Sequence, residues 1–188
     1  KRTVAICEDI TNRKKVEQEK LRFQETLENS LNEIYIFDSE TFKFQYINQS
    51  ALLNLGYSKQ EINNINPIII KPEYTLSSFK QLVEPLKNKE LEKIIFFTNH
   101  KRKDGSIYPV EIHLKIVEEA NYKNFIAIVL DITERKKAEE DLISTSERLS
   151  LATTSANIGI WEWDVLNNQL IWDETMFFRK LACYSTSR

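Results

Sequence analysis

Ile128-Val-Leu-Asp-Ile-Thr-Glu-Arg-Lys-Lys-Ala-Glu139 organises the reading of this chain because it occurs twice. Near the start the sequence runs Ile6-Cys-Glu-Asp-Ile-Thr-Asn-Arg-Lys-Lys-Val-Glu17, and at a constant offset of 122 positions residues 5–17 match residues 127–139 at nine of thirteen places. A period of that size is one domain plus one connector. The 188 residues are therefore expected to be a piece of a longer tandem array, with one complete repeat and two partial ones. Each copy passes from an apolar run through Asp-Ile-Thr into a charged segment of helical character, so each marks the place where a buried strand becomes an exposed helix.

Outward from that stretch, 41% hydrophobic and 29% charged residues describe a soluble globular chain, and a net charge of -2 gives no electrostatic reason to bind nucleic acid or an anionic membrane. No apolar run approaches the roughly 20 residues of a membrane span, so a cytoplasmic location is expected, in a parent that can still be membrane-anchored. Cys7 and Cys183 have no metal-like spacing around them, which argues against a disulfide framework and for a reducing compartment. Three glycines leave little material for a phosphate-cradling loop.

The segment from Thr11 to about Ser30 lacks proline and glycine and is rich in Glu, Gln, Lys and Arg, so it is expected to be helical, with Thr11 capping its first turn. Its apolar stripe, Val16, Phe23, Leu27, Leu31 and Ile34, is narrow and suits a two-helix seam. Ile34 to Asp38 and Phe42 to Asn48 read as a hairpin. Asn48 is a helix cap ahead of Ala51, Leu52 and Leu55, Gly56 is the left-handed C-terminal residue, and Ser58 with Glu61 has capping-box spacing. A helix is expected over about Tyr74 to Leu86, then a strand from Ile94, a tight turn at Asp104-Gly105, and a strand in which Tyr108, Val110, Ile112, Leu114 and Ile116 alternate with Glu111, His113 and Lys115. Phe125 to Leu130 is apolar at every position and reads as a central strand covered on both sides. A second helix, about Glu134 to Ala156, carries Ala138, Leu142, Thr145, Leu149, Ala152 and Ala156 at heptad spacing. From Asp9 to Asp38 is 29 residues and from Asp131 to Asp164 is 33, so the second connector is longer by about one helical turn.

Tyr46-Ile-Asn48, Leu55-Gly-Tyr-Ser58 with Glu61, Lys103-Asp-Gly-Ser-Ile-Tyr-Pro-Val-Glu111 and Asp131-Ile-Thr-Glu-Arg-Lys-Lys137, in that order, resemble a PAS domain with its PAC-type C-terminal half. Gly159-Ile-Trp-Glu-Trp-Asp164 and Trp172-Asp-Glu-Thr-Met176 resemble the start of another. The resemblance implies an α+β fold, a five-stranded antiparallel sheet with short helices on one face, flanked here by coiled-coil-like linker helices. The expected division is residues 1–11, the end of a preceding repeat; 12–31, a linker helix; 32–133, the complete domain; 134–156, a second linker helix; and 157–188, the truncated start of a further domain. Residues 177–188 leave the family pattern and are expected to be poorly ordered. The family further implies a non-catalytic sensory or relay role in a bacterial multi-PAS protein of the two-component phosphorelay type, a sensor histidine kinase, or in a diguanylate cyclase. A passive dimerisation spacer is the rival reading. Expected partners are a second copy, joined through the linker helices, and the neighbouring PAS and effector domains of the same chain.

No catalytic or metal-binding constellation emerges from the sequence. His100 lies beside Lys101, Arg102 and Lys103 and His113 on the wet side of its strand, so both read as surface residues without a second ligand. Haem-binding relatives take a histidine from the helix before the third strand, where Tyr74 to Leu91 has none, and residues 32–133 lack the cysteine of a cysteinyl-flavin photocycle. Both cofactors are disfavoured. A noncovalent small molecule stays open, in a pocket drawn from Ile36, Tyr46, Leu53, Phe79, Leu82, Phe96, Thr98, Val110, Ile112, Leu114 and Ile128, although the same residues serve equally as a core. Signal relay is expected at Asp9, Thr11, Asp131, Thr133 and Arg135: Thr133 caps the outgoing helix and Asp131 reaches Arg135.

Overall fold

The computed structural model describes residues 11–62, 65–119, 122–156, 158–173 and 175–176. The strand expected over residues 1–8, Asp9, the side chain of Thr11 and residues 177–188 lie outside the described residues. The chain divides into two units, one ending at Thr133 and one beginning at Glu134.

The first unit runs α1 (Thr11–Glu28), β1 (Glu33–Asp38), β2 (Phe44–Ile47), α2 (Gln49–Leu55), α3 (Lys59–Ile62), α4 (Leu76–Lys87), β3 (Lys93–Lys101), β4 (Ile107–Glu119) and β5 (Tyr122–Asp131). Its strands form one antiparallel sheet in the order β2-β1-β5-β4-β3. β5 is thus central, and the Asp-Ile-Thr stretch leaves from the middle of the sheet. Register sorts the side chains by parity. Tyr35 pairs with Ala127 and Ile47, Phe37 with Phe125 and Phe44, Val129 with Ile112 and Val110 with Thr98, and these line the inner face. There they meet Phe79, Val83 and Leu86 of α4 and Ala51 and Leu55 of α2, all buried. Phe37, Phe42, Phe79 and Phe125 pack ring on ring at centroid separations of 5.3–6.4 Å and fill the space under α4.

The punctuation residues act as their chemistry dictates. Gly56 adopts φ 74 at the end of α2, and Gly105 takes φ 91 where Arg102 N–H donates to Ser106 O at 2.8 Å. Ser58 and Glu61 form the reciprocal box that starts α3. Thr75 and Ser78 form another, which delays α4 to Leu76 from the expected Tyr74. Asn48 does most. Its Oδ1 accepts from Ala51 N–H and Ile34 N–H, and its Nδ2 donates to Leu27 O and Asn32 O, so one wholly buried amide joins the end of α1, the start of β1 and the start of α2. Asn48→Ala is expected to destabilise the domain by about 2–3 kcal/mol, the loss of a cap plus stranded buried partners, read as a lower urea midpoint at unchanged slope.

Three sequence expectations are corrected by this geometry. The stripe assigned to the first helix is broken, because α1 stops at Glu28, Ile34 belongs to β1, and Leu31 in between is exposed. β5 is buried on one face only: Phe125, Ala127 and Val129 point inward, whereas Ile126 and Leu130 are half-buried and Ile128 is exposed. An unbroken apolar run here records one core face and one half-open face. Thr133 is the first helical residue of its helix, one position inside the cap it was expected to form.

The helix α5 (Thr133–Ser155), which belongs to the second unit from Glu134 onward, has no buried residue, and the heptad leucines Leu142 and Leu149 are 71% and 60% exposed. β6 (Trp161–Asp164) and β7 (Gln169–Trp172) form a hairpin whose turn repeats that of the first unit. Asp38 Oδ1 accepts from Glu40 N–H and Thr41 N–H, and Phe42, four residues on, has φ 55; Asp164 Oδ1 accepts from Leu166 N–H and Asn167 N–H, and Asn168, four residues on, has φ 50. The same Asx-type turn thus closes both hairpins. No helix among the described residues is long and apolar enough to cross a membrane.

Candidate functional site

The inner face of the sheet is apolar except at one end, where ionisable groups gather. Glu33, the first residue of β1, shares parity with Tyr35 and Phe37 and therefore points inward, where it is buried. Its Oε1 accepts from Tyr108 Oη–H at 2.8 Å and from Asn54 Nδ2–H at 2.5 Å, and its Oε2 accepts from Tyr35 Oη–H. Three donors converging on one carboxyl group match an ionised, acceptor-only carboxylate. Burial, then the charge of Glu33, raises the phenol pKa of both Tyr35 and Tyr108, so both keep their protons and donate.

His100 completes the cluster. It is 0% exposed, edge-on to Tyr108 at 5.7 Å and to Tyr35 at 6.2 Å. Its Nδ1 lies 3.4 Å from Tyr108 Oη and 3.8 Å from Glu33 Oε2, and its Nε2 has no hydrogen-bond partner among the described residues. Because Tyr108 gives its proton to Glu33, the ring proton belongs on Nδ1, facing two acceptors, and Nε2 carries only a lone pair. Burial pulls the His100 pKa down to about 4, with the charge of Lys71 acting in the same direction and Glu33 against it, so the ring is neutral near neutrality. Lys71, between the last turn before Pro72 and β3, is buried too. Its Nζ stands 5.8 Å from the Phe79 ring centroid, and burial, opposed by Glu33, brings its pKa down to about 7.

This cluster reaches the Asp-Ile-Thr junction through Asn54. The Arg102 guanidinium stacks on Tyr108 at 3.9 Å and donates to Asn54 O from Nε at 2.9 Å and to Asn54 Oδ1 from Nε at 3.1 Å and Nη2 at 2.9 Å. With Oδ1 thus engaged, the amide must present Nδ2 to acceptors, and it faces two: Glu33 at 2.5 Å and Asp131 Oδ2 at 3.5 Å. Asp131 Oδ1 in turn accepts from Thr133 N–H at 2.9 Å and from Thr133 Oγ1–H at 2.5 Å, fixing the first residue of α5. Arg102 Nη2 stands 3.7 Å from Asp131 Oδ2. Asp131, rather than Thr133, supplies the capping oxygen. Arg102, from the β3–β4 turn, is a cation against it, and Arg135 lies in the exposed first turn of α5.

The pocket residues expected from sequence divide. Phe79, Val110, Ile112 and Leu114 are buried on the inner face, Leu82 and Phe96 pack against them, and Thr98 is buried with its hydroxyl donated to Glu73. Ile36, Tyr46 and Ile128 belong to the other parity: Ile36 pairs with Tyr46 and Ile126, and Ile128 with Ile34 and His113, so all three face away from the core. Leu53, on the outer side of α2, is 72% exposed. β1 is apolar at four consecutive positions, which hides its parity until a partner strand sets it. His100 is the largest correction. Its charged neighbours suggested the surface, but it follows Ile94, Phe96 and Thr98 at intervals of two, a parity present in the sequence. His113 sits on the outer face, 2.8 Å from Glu111. Glu33 has the same kind of parity signal; Lys71, in an irregular segment, has none. Among the described residues no group of three His, Cys, Asp or Glu is placed to hold a metal.

Comparison with known proteins bears on the same region. A family description, "PAS domain", matches residues 32–134. The chain is 30% identical over 118 residues to the methyl sulfide methyltransferase-associated sensor of Methanosarcina acetivorans, covering 63% of this chain and 12% of the relative. It is 26% identical over 167 residues to the probable diguanylate cyclase DgcE of Escherichia coli (88% and 15%), and 25% identical over 149 residues to sporulation kinase C of Bacillus subtilis (77% and 33%). The chain therefore spans a third or less of the length of these relatives. Among solved structures, the PAS domain of an HTR-like protein from Haloarcula marismortui aligns with a TM-score of 0.58 at 23% identity, over 64% of this chain and 98% of that one, a likeness of fold.

Proposed function

The chain belongs to the PAS domain family through residues 32–134, and from that premise we propose that it is a non-catalytic relay module in the input region of a longer signalling protein, a sensor histidine kinase or, as the second reading, a diguanylate cyclase. Its role in signal transduction goes with the family. The observation that carries the relay is the continuous polar path from buried Glu33 through Asn54 to Asp131 and on to Thr133, the first residue of the outgoing helix. A buried ionisable cluster is a poor device for stability, because each desolvated charge costs about as much as its partners return. Such clusters collect where a protein works. Asp131 is well suited to the output end: a cap and a partly exposed ion pair are together worth about 1–2 kcal/mol, which matches the usual size of a regulatory coupling, about 1–3 kcal/mol.

In this reading the exposed apolar rows of α1 and α5 are seams for a parallel two-helix coiled coil with a second copy, and the neighbouring PAS and effector domains of the same chain receive the signal. The module acts in the cytoplasm, uses neither haem nor cysteinyl-flavin, and binds no nucleic acid. Asp131→Ala in the full-length parent is expected to change the ratio of stimulated to basal output by about 5-fold or more, with the domain still folded by circular dichroism. Unchanged output would leave the passive spacer as the better account.

A further inference from the structure

The helix that carries Asn54 is held at its other end by the incoming helix. Residues 12–26 of α1 are exposed and burial begins only at Leu27, so the last turn of α1 is where it is seated on the domain. There, and in the turn that follows, three acceptors take donors from the start of α2: Leu27 O from Asn48 Nδ2–H at 3.2 Å, Glu28 Oε2 from Gln49 N–H at 2.9 Å, and Ser30 O from Ser50 Oγ–H. The first N–H groups of a helix have no partner within it, and the one at Gln49 is satisfied by a side chain of α1. At the far end Lys103 N–H donates to Leu55 O at 2.9 Å, and Arg102 makes its three bonds to Asn54. α2 itself has seven residues, about 10 Å of helix, and a helix so short does not hold its shape unaided. Its order comes from the burial of Ala51 and Leu55 and from the groups that pin its two ends.

Resting on the relay reading, we propose that α2 is a strut through which the incoming helix governs the outgoing one, so that a signal enters this domain at Glu28 as well as in the core. The contacts at the far end of the strut differ in slack. Asn54 Nδ2 is held by Glu33 at 2.5 Å, a bond short enough to stay made and act as a pivot. Asn54 Nδ2 and Arg102 Nη2 lie 3.5 and 3.7 Å from Asp131 Oδ2, both long, so a small displacement makes or breaks them. When α1 turns or draws away, Glu28 leaves the Gln49 N–H and the first turn of α2 loosens. Asn54 and Arg102, which move with the end of α2, then part from Asp131. Asp131, no longer steadied from that side, holds the Thr133 N–H less firmly. No ligand is needed for this step, because the input is the position of the preceding helix.

The test is amide hydrogen exchange, followed by NMR on the whole 188-residue chain. Glu28→Ala is expected to speed exchange at Thr133 by about 5-fold or more, the size of a regulatory coupling. The Ile112 amide, in the middle of β4, should keep its rate, which separates this effect from a global loss of stability. Ser50→Ala, which cuts a second bond between the same two segments, should act at Thr133 in the same direction. In Asn54→Ala, or in Asn54→Leu if the alanine variant does not fold, adding Glu28→Ala should leave the Thr133 rate where it was. Lys87→Ala, which removes the ion pair with Glu40 at 2.8 Å, should leave Thr133 unmoved as well. A Thr133 rate that responds to neither Glu28→Ala nor Ser50→Ala, or one that responds just as much once Asn54 has been replaced, would overturn the strut. The relay itself is judged by the output of Asp131→Ala: changed output with an unmoved Thr133 rate removes the strut and keeps the relay, and unchanged output with a coupled Thr133 rate does the reverse.

Discussion

Glu33→Ala is expected to destabilise the domain by about 3–5 kcal/mol, the usual consequence of removing one member of a buried charged set. The truncation strands the hydroxyls of Tyr35 and Tyr108 and the Asn54 amide, and leaves Lys71 without the carboxylate that opposes its charge. Each stranded donor costs about 1–3 kcal/mol when water cannot reach it, and relaxation at the Asn54 side, where the residue is partly exposed, keeps the total below the simple sum. Glu33→Gln should cost less, because it fills the same space and retains one acceptor oxygen, but its NH2 group places a donor against a donor where the carboxylate offered an acceptor. Urea unfolding of the three proteins at pH 7 checks the order: wild type, then Glu33→Gln, then Glu33→Ala. Equal midpoints for wild type and Glu33→Ala would mean that the cluster is solvated in solution.

Stability is expected to rise with pH in two separate windows. His100 has its pKa lowered from 6.5 to about 4 by burial, so between those values the unfolded chain binds the proton and the folded chain does not. Folding is therefore penalised as pH falls from 6.5 toward 4. Lys71, lowered from 10.5 to about 7, follows the same rule higher up: the unfolded chain holds more protons between 7 and 10.5, and stability grows as pH rises through that window. Each group contributes a slope of about 1.4 kcal/mol per pH unit within its window. Tyr35 and Tyr108, whose phenols are raised, act in the opposite sense above pH 10 and bring the rise to an end. Urea midpoints at pH 5, 6.5, 7 and 9, with Lys71→Met alongside, separate the windows. The variant should lose the upper slope and keep the lower one, and an upper slope that persists in Lys71→Met would assign it to another group.

Much of the fold was legible before any coordinates, and for local reasons. Asn48, Gly56, Ser58 with Glu61, and Asp104-Gly105 each have a backbone requirement that only a few residue types meet, so their positions fixed the ends of elements. Where β4 alternates strictly, its faces could be read directly. Where a strand is apolar on both parities, as in β1 and β5, the sequence does not distinguish its faces, and the register turns Ile36, Tyr46 and Ile128 outward. The candidate site was harder still. The neighbours Lys101, Arg102 and Lys103 suggest a surface position for His100, yet the chain turns away from the core only after it.

The repeat, the strand-to-helix junction at Asp131-Ile-Thr133 and the family depend on spacing along the chain and on local backbone chemistry, so they are readable from the residues alone. That Glu33 and His100, far apart in sequence, share one desolvated space with buried Lys71 acting on both, and that Asn54 and Arg102 connect that space to the junction, emerges only on folding. The physical reason is that a charge acquires an altered affinity for protons from what surrounds it, and those surroundings exist only when strands from both ends of the domain pair in register. The doubled stretch thus marks where a signal can leave the domain, and the folded core supplies a place where one can begin.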